Sequence, residues 1–291
     1  MNANDGLTIL APAKINLFLK VLGKRSDGYH DVFSLVQAVN LYDTLVIENS
    51  HQTFELIVDN PRIPADQSNL VWKATELLRR EAGFREGVRI SLEKKIPMGA
   101  GLGGGSSDAA AALKGINSFL GLGLSNSELM ELGARIGSDV PFFFSTGTAL
   151  VSGRGETVDN VTATLDYGII LVVPDFEIQT AKAYQELRFF LTTYSDRPTF
   201  NLALNGLDFF DTLNRIGNDF QAMVEDQHPL VSSCLRTIRE MGAKYVSLSG
   251  SGSSFFGLFR LEDLPPNDST TPLSKQHLGW QVCSLVPVAI P

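Results

Sequence analysis

The chain has 291 residues, of which 44% are hydrophobic and 19% charged, and this balance excludes a disordered or fibrous protein. The formal charge of −8 disfavours nucleic acid and anionic lipid as partners, so a phosphate-bearing ligand needs a local site. Met1 to Gly6 lacks the features of a targeting signal, and no apolar run is long enough to cross a bilayer. Cys234 and Cys283 lie in no metal-binding or redox spacing, so we expect a cytoplasmic protein without a metal cage.

The first ninety or so residues are predicted to form mainly strands, because branched and aromatic residues cluster there between Gly, Asp and Asn. These strands are Leu7 to Leu10, Ile15 to Val21, Leu41 to Glu48 and Phe54 to Val58. Helical spacing of apolar residues predicts a helix over Asn69 to Glu81, with Ser68 or Asn69 as its cap and Gly83 as its stop. Val88, Ile90 and Leu92 then alternate like a half-buried strand.

A glycine-rich loop follows that strand and leads into a helix predicted from Ser107 to Phe119. Ser125 and Glu128 have the spacing of a capping box, which predicts a helix that begins at Ser125 and ends near Gly137. After a strand-rich stretch through Ser152, the polar run Thr157 to Asp166 is the predicted linker. We therefore expect two domains, residues 1–160 and 161–291.

In the second half, strands and helices interleave without the strict alternation of a doubly wound fold, which favours an α+β fold with largely antiparallel sheets. Leu191 to Asp211 is Phe-rich and irregular, and we interpret it as a lid or an interface. The predicted elements are strands at Ile169 to Val173, Tyr245 to Leu248, Phe255 to Phe259 and Val282 to Val286, and helices near Ala181 to Phe189 and Pro229 to Met241.

The glycine-rich loop is the most informative segment, because five glycines in seven residues allow backbone amides to converge on phosphate oxygens. The following helix adds the positive end of its dipole, two serines offer hydroxyls to phosphate or magnesium, and Lys94 or Lys95 supplies a cation. A merely flexible loop is the less favoured interpretation, since ordering so many glycines is costly unless a ligand binds. The loop comprises Pro97, Met98, Gly99, Ala100, Gly101, Leu102, Gly103, Gly104, Gly105, Ser106 and Ser107.

Two common nucleotide motifs do not fit this loop. Gly99, Gly101 and Gly104 satisfy G-x-G-x-x-G, but no strand ending in Asp or Glu follows about twenty residues later, as a dinucleotide fold requires. A Walker A motif is excluded because no Lys-Ser or Lys-Thr follows the glycines. The loop is therefore predicted to be a phosphate cradle of another kind.

Three motifs in order along most of the chain resemble the GHMP kinase superfamily. They are Ala11-Pro12-Ala13-Lys14-Ile15-Asn16-Leu17 followed by Gly28-Tyr29-His30, the glycine-rich loop, and Leu248-Ser249-Gly250-Ser251-Gly252-Ser253-Ser254. Lys14 with Asn16, Tyr29-His30 and Gly137-Ser138-Asp139-Val140-Pro141 are typical of the branch that acts on 4-diphosphocytidyl-2-C-methyl-D-erythritol. The resemblance implies an N-terminal domain that folds like the second domain of ribosomal protein S5. It implies a ferredoxin-like C-terminal domain.

The resemblance implies transfer of the γ-phosphoryl of ATP, with Mg²⁺, to the 2-hydroxyl of that substrate, in a cleft between the domains. It makes Lys14 and Asp139 the catalytic pair, and it implies that Lys94 and the glycine-rich loop hold ATP. The residues implied to contact the substrate are Asn16, Tyr29, His30, Thr180 and Tyr184, and those implied to support the phosphate loop are Ser249, Gly250, Ser251 and Gly252. Asp108 we interpret as a helix cap. We expect a monomer or weak homodimer.

Simpler interpretations exist for most of these residues. Without the motif context, Asp139 before Val140-Pro141 would be a turn residue, and Lys14 would be a strand lysine that extends to solvent. Another superfamily kinase, acting on homoserine, mevalonate or a sugar, is the alternative enzyme. A nucleotide-binding module without turnover is the alternative outside enzymes, and the presence of both Lys14 and Asp139 argues against it.

Overall fold

Two long strands near the start of the chain pair as one hairpin and organise the first sheet. In the computed structural model, which describes residues 6–162, 166–187, 208–266 and 280–290, β1 (Leu7–Lys24) runs antiparallel to β2 (His30–Asn49). The strands predicted at Leu7 to Leu10 and Ile15 to Val21 are parts of one continuous strand. A bulge between Pro12 and Ala13 shifts the register within it. Because the hairpin turns at residues 25–29, Tyr29 and His30 lie at its tip.

Four more strands complete this sheet, in the order β3-β4-β2-β5-β6, with β1 beside β2. All of its pairings are antiparallel except that of β3 with β4. The added strands are β3 (Phe54–Val58), β4 (Val88–Glu93), β5 (Thr148–Gly153) and β6 (Thr157–Asn160). The linker prediction was thus wrong for its first four residues, which pair with β5 as an edge strand.

Helices α1 (Leu70–Ala82), α2 (Gly104–Leu120) and α3 (Asn126–Ile136) pack with the first sheet around one apolar cluster. Asn69 caps α1 and Gly83 ends it in the left-handed conformation, as predicted. Helix α2 begins at Gly104, three residues before the predicted start, because Gly103 with φ 70° is its N-cap. A short 3-10 helix (Pro141–Phe144) follows α3 and buries all four of its side chains.

The second sheet is fully antiparallel, in the order β10-β7-β9-β8. Its strands are β7 (Tyr167–Val173), β8 (Tyr245–Leu248), β9 (Phe255–Arg260) and β10 (Gln281–Leu285). Its helices are α4 (Thr180–Leu187), α5 (Asp208–Ile216), α6 (Gln221–Gln227) and α7 (Pro229–Glu240), with a 3-10 turn at Leu261–Asp263. No sequence pattern predicted α5 or α6. The prediction that Leu191 to Asp211 is irregular was wrong for residues 208–211, which belong to α5. Residues 191–207 lie outside the described part of the chain.

The middles of β1 and β2 are buried on both faces, which joins the two sheets through one strand pair. On β2, Val36 and Ala38 enter the cluster under the helices, whereas Phe33 and Leu35 enter the cluster shared with β7 and β9. The α+β prediction with largely antiparallel sheets is confirmed. The domain limits stay a prediction, and residues after β10 return to β2, where the amide of Val288 donates to the Ala38 carbonyl.

No helix among the described residues has the length and apolar character needed to span a bilayer.

The capping box predicted at Ser125 is present in both directions, since the Ser125 hydroxyl accepts from the Glu128 amide and the Glu128 carboxylate accepts from the Ser125 amide. We expect Ser125→Ala to lower the free energy of unfolding by roughly 1 kcal/mol in urea titrations. Ser127→Ala, in the exposed first turn of the same helix, is the matched control and should be neutral or slightly stabilising. Equal stabilities of the two variants would contradict the capping role.

Candidate active site

Three backbone segments from distant parts of the chain meet at one point. The amide of Lys14 on β1 donates to the carbonyl of Leu102 in the glycine-rich loop, at 2.9 Å. The hydroxyl of Ser249 donates to the Gly101 carbonyl at 2.8 Å and accepts from the Asn16 amide at 3.3 Å. The first, second and third sequence motifs therefore form one connected structure, as their resemblance to a single superfamily implies.

Glycine is required at Gly101 for two reasons. Its φ of 75° is left-handed, and a Cβ atom there would lie 2.2 Å from the Ser249 carbonyl oxygen. Gly99 and Gly103 are also left-handed, with φ of 63° and 70°. Gly104 and Gly105 are helical, so the expectation of positive φ holds for three of the five glycines.

A cavity of about 460 Å³ lies over this loop. The first turn of α2 has no side-chain cap, so its amides are available where the helix faces the cavity at Gly104, Gly105 and Ser106. This arrangement fits a phosphate chain. The cavity is further lined by Ile63, Pro64, Leu70, Leu92, Pro97, Met98 and Leu102, an apolar wall suited to a nucleobase. Ser107 is buried, by contrast, and its hydroxyl has no hydrogen-bond partner.

Lys14 and Asp139 approach one another at the end of this cavity. The Lys14 ammonium is almost fully buried, lies 3.6 Å from the Asp139 carboxylate and donates to the Asn16 side-chain oxygen at 2.6 Å. Asp139 sits in the turn between α3 and the 3-10 helix, and half of its side chain is exposed. The side-chain amide of Asn16 donates to Ser34 at 2.8 Å, which leaves its oxygen as the acceptor for Lys14. Asn16 thus orients Lys14, while its predicted contact with substrate stays a prediction.

An aromatic cavity of about 610 Å³ lies on the other side of Asp139. Tyr29 and His30 reach it from the β1–β2 hairpin, and Thr180 and Tyr184 reach it from α4. His30 stacks on Tyr184 with ring centroids 4.7 Å apart, and Tyr29 is 53% exposed. Burial, and then the charge of Lys24, lower the pKa of His30, which keeps the imidazole neutral near pH 7. Burial, and then Asp139, raise the pKa of the Tyr184 hydroxyl, which stays protonated.

A smaller cavity of about 130 Å³ adjoins these two spaces and shares lining residues with both. Asp139 and Thr180 line all three cavities. The Thr180 hydroxyl lies 3.2 Å from the Ser251 hydroxyl in the loop Ser249 to Ser254, which we call the serine-glycine loop. This loop therefore reaches the junction as well. A substrate in the aromatic cavity and a phosphate chain on the glycine-rich loop would therefore meet at Asp139 and Lys14.

Lys94 lies beneath the loop in a buried cluster with two carboxylates. Its ammonium is 2.6 Å from Asp108 and also pairs with Asp43, whose other oxygen accepts from the amides of Lys95 and Ile96. Lys94 also lines the cavity over the loop, and its predicted contact with ATP stays a prediction. Asp108 is not a helix cap, because it lies in the second turn of α2 with its side chain buried.

Two carboxylates that share one ammonium leave a net negative charge in this cluster. Burial raises the pKa of Asp108 to about 7, with Asp43 acting in the same direction and Lys94 opposing both. One oxygen of Asp108 is buried without a hydrogen-bond partner. The proton that Asp108 keeps below about pH 7 neutralises the cluster.

Sequence reasoning missed four residues that shape this site. Asp43 and Ser34 lie in strand β2, where a buried polar residue among apolar neighbours was the available signal. Asn218 donates to the carbonyls of Leu248 and Gly250 and so holds the serine-glycine loop, but no pattern marks it. Arg154 stands between two glycines in the turn after β5, which is the signal that was overlooked.

Comparison with known proteins places the chain among related sequences. The profile described as GHMP kinases N terminal domain matches residues 69–147, and that described as GHMP kinases C terminal matches residues 203–268. A 4-diphosphocytidyl-2-C-methyl-D-erythritol kinase from Bacillus cytotoxicus is 41% identical over 253 residues, covering 87% of this chain and 88% of the relative. The chain belongs to the 4-diphosphocytidyl-2-C-methyl-D-erythritol kinase family.

Solved structures agree with this membership. A crystal structure of a 4-(cytidine 5'-diphospho)-2C-methyl-D-erythritol kinase superposes with a TM-score of 0.75 at 30% identity, covering 96% of this chain and 99% of the other. A homoserine kinase from Cytophaga hutchinsonii has a TM-score of 0.76 but 20% identity, over 99% and 96% of the two chains, and shows the fold alone. As a member of this kinase family, the protein transfers a phosphoryl group from ATP to a small molecule.

The close approach at Gly101 predicts that a side chain there weakens both nucleotide binding and the fold of the loop. Gly101→Ala forces the loop away from Ser249, so we expect ATP affinity to fall at least roughly tenfold in calorimetric titrations and thermal stability to fall with it. Gly105→Ala is the stability control, because its Cβ would meet only Leu70 at 3.6 Å and an alanine favours the helix. A Gly101→Ala protein with unchanged ATP affinity would show that this loop contact is dispensable.

The buried cluster predicts a pH-dependent stability. In the folded protein Asp108 keeps its proton up to about pH 7, whereas the unfolded chain loses it near pH 4, so the folded state binds more protons between these values. This contribution to stability is present below about pH 4 and is lost as the pH rises toward 7. We expect Asp108→Asn, which still accepts from Lys94, to gain stability relative to wild type as the pH rises from 4.5 to 8 in urea titrations.

Asp159→Asn, which removes an exposed carboxylate from β6, is the control and should show no such trend. A constant stability difference between Asp108→Asn and wild type across this pH range would argue against the raised pKa.

Proposed function

We propose that the protein transfers the γ-phosphoryl group of ATP to the 2-hydroxyl of 4-diphosphocytidyl-2-C-methyl-D-erythritol, a step of the non-mevalonate isoprenoid pathway. The observation that carries the proposal is the position of the Lys14–Asp139 pair. It lies between a glycine-lined cavity suited to phosphates and an aromatic cavity suited to a nucleobase. The site therefore offers one cavity for the nucleotide donor and another for a nucleoside-bearing acceptor, with the pair between them.

Asp139 is suited to accept the proton of the attacking hydroxyl. Its carboxylate is half exposed toward the cavities, whereas the Lys14 ammonium behind it is almost fully buried. The positive charge of Lys14 offsets the negative charge that develops on the phosphoryl oxygens. Asn16 holds the ammonium in place through the 2.6 Å hydrogen bond, and Ser34 fixes the orientation of Asn16.

The nucleobase of the acceptor would enter the aromatic cavity. The exposed ring of Tyr29 offers a stacking surface, and the neutral imidazole of His30 adds a polar group to the wall that would face a cytosine. The stack of His30 on Tyr184, which itself packs edge-on against Phe220 at 4.9 Å, holds the imidazole in one orientation. These contacts support a cytidyl substrate rather than homoserine, mevalonate or a sugar, none of which carries a nucleobase.

ATP would lie along the glycine-rich loop, with its phosphates at the uncapped start of α2, and its bound Mg²⁺ would shield the charge on the phosphates. Mg²⁺ in kinases is held mainly by phosphate oxygens and one or two protein oxygens. The Ser106 hydroxyl at the cavity wall fits that requirement. The described residues contain no group of three or more acidic, His or Cys side chains that would hold a metal alone.

A coupled assay of ADP release with a substrate panel tests the proposal. We expect turnover with 4-diphosphocytidyl-2-C-methyl-D-erythritol, and much weaker turnover with the analogue that lacks the cytidine. Preferred phosphorylation of homoserine, mevalonate or a sugar would replace the proposed substrate. ATP binding without ADP release for every alcohol would indicate a nucleotide-binding module instead.

The pair itself predicts a specific kinetic pattern. Asp139→Asn keeps the size of the side chain but cannot accept the proton, so we expect kcat to fall roughly 10²–10⁴-fold with little change in KM. Lys14→Ala should lower kcat as well, and the double variant should lose much less than the product of the single losses if the two act as a unit. Near-normal turnover of a folded Asp139→Asn enzyme would leave Asp139 as a turn residue only.

A further inference from the structure

Arg154 occupies a position that neither the sequence motifs nor the proposed chemistry accounts for. It lies in the turn between β5 and β6, flanked by Gly153 and Gly155, and lines both the aromatic cavity and the small cavity at Lys14. Of these two cavities, Lys24 lines the aromatic one alone, and Lys14 lines the small one alone. No other lysine or arginine of the described residues lines either cavity. Arg154 is therefore the cation common to both spaces.

The order of groups in the proposed substrate requires a charged segment to pass this point. A nucleoside stacked at Tyr29 and a hydroxyl held at Asp139 leave the diphosphate between them. Each phosphate brings a negative charge out of bulk water, which is unfavourable unless a donor pairs with it. We propose that Arg154 binds the diphosphate of the substrate; this inference rests on the proposed function.

The side chain is prepared for that role by its contact with Tyr29. The guanidinium carbon lies 5.0 Å from the centroid of the Tyr29 ring, a cation–π contact that holds the positive charge beside this ring. A guanidinium carries five N–H donors in a planar fork, which suits bidentate pairing with phosphate oxygens. The same contact links the phosphate-binding group to the ring on which the base would stack.

The acidic neighbours of Arg154 do not saturate it. Glu156 approaches its side chain no closer than 3.6 Å, beyond hydrogen-bond length, and one Glu156 oxygen already accepts from the Arg154 amide at 2.5 Å. Asp27, on the hairpin tip, is near enough for Arg154 to lower the pKa of its carboxyl, although Arg25 and the Tyr29 amide act on it more strongly. A phosphate would thus replace weak, partly exposed pairings.

The turn also fixes the position of Arg154 relative to Asp139. Gly155 has φ 122°, and a Cβ atom there would lie 3.1 Å from the carbonyl oxygen of Ser138, the residue before Asp139. The backbone that carries Arg154 therefore packs directly on the backbone that carries the proposed base. A diphosphate bound by Arg154 would place the attached polyol at a fixed distance from Asp139.

Calorimetric titration of the full chain with CDP and with cytidine, in saturating ADP to occupy the ATP cavity, separates the diphosphate from the base. In Arg154→Gln we expect the Kd for CDP to rise roughly 10- to 100-fold, the range for a lost hydrogen bond to a charged group, with the Kd for cytidine unchanged. Arg154→Lys, which keeps the charge but not the fork, should fall in between. Arg236→Gln removes an exposed arginine from α7 and should behave as wild type.

Wild-type affinity for CDP in Arg154→Gln would overturn the inference. An equal loss for CDP and cytidine would also overturn it, because Arg154 would then act only by orienting Tyr29. If Arg154→Gln does not fold, the Arg154→Lys titration decides: wild-type affinity for CDP overturns the inference, and a selective loss for CDP supports it. A wild-type chain that binds neither CDP nor cytidine would instead contradict the proposed substrate.

Discussion

The contact between the glycine-rich loop, β1 and the serine-glycine loop is the constraint on which the site depends. Gly101 lies so close to the Ser249 carbonyl that the two loops can meet only if residue 101 has no side chain. Through this contact the amide of Lys14, the carbonyl of Leu102 and the hydroxyl of Ser249 are held together. The lysine of the proposed catalytic pair and the loop proposed to hold ATP are thus parts of one hydrogen-bonded junction.

Two buried lysines near this junction differ in how their charge is balanced. Lys94 pairs with two buried carboxylates, so its local cluster is negative and is neutralised by a proton. Lys14 faces one neutral amide and one half-exposed carboxylate. Only the second arrangement leaves a carboxylate oxygen accessible to a substrate hydroxyl, which is why the chemistry is expected at Lys14 while Lys94 supports the base of the loop.

The three cavities share a wall because the hairpin, α4 and the Asp139 turn converge on the same strand pair. The middles of β1 and β2, where Lys14 and Asn16 lie, are buried between the apolar cluster under the helices and the cluster shared with the second sheet. Residues as distant as Tyr29, Arg154 and Tyr184 then surround one space. In this arrangement, different elements can hold the acceptor substrate at its nucleobase, at its diphosphate and at its reacting hydroxyl.

Local chemistry in the sequence was sufficient for several parts of this protein. Glycine spacing predicted the loop, the capping box predicted α3, and apolar periodicity predicted α1 and β4. Clusters of branched and aromatic residues predicted the other strands of the first ninety residues. Each of these depends on residues within a few positions of one another. The predictions failed where the signal was short or depended on a distant partner: Thr157–Asn160 became an edge strand by pairing with β5, and α5 and α6 are brief helices stabilised by packing.

Residue patterns alone indicate the family motifs, the α+β class and the candidate residues Lys14, Asp139 and the glycine-rich loop. The tertiary structure shows which of them meet, because the Lys14–Asp139 pair and the hydrogen bonds of Ser249 to Asn16 and Gly101 join segments more than one hundred residues apart. It also revealed Asp43 and Arg154, whose importance lies in what surrounds them. Burial and charge pairing are properties of that surrounding space, and no local pattern of residues encodes them.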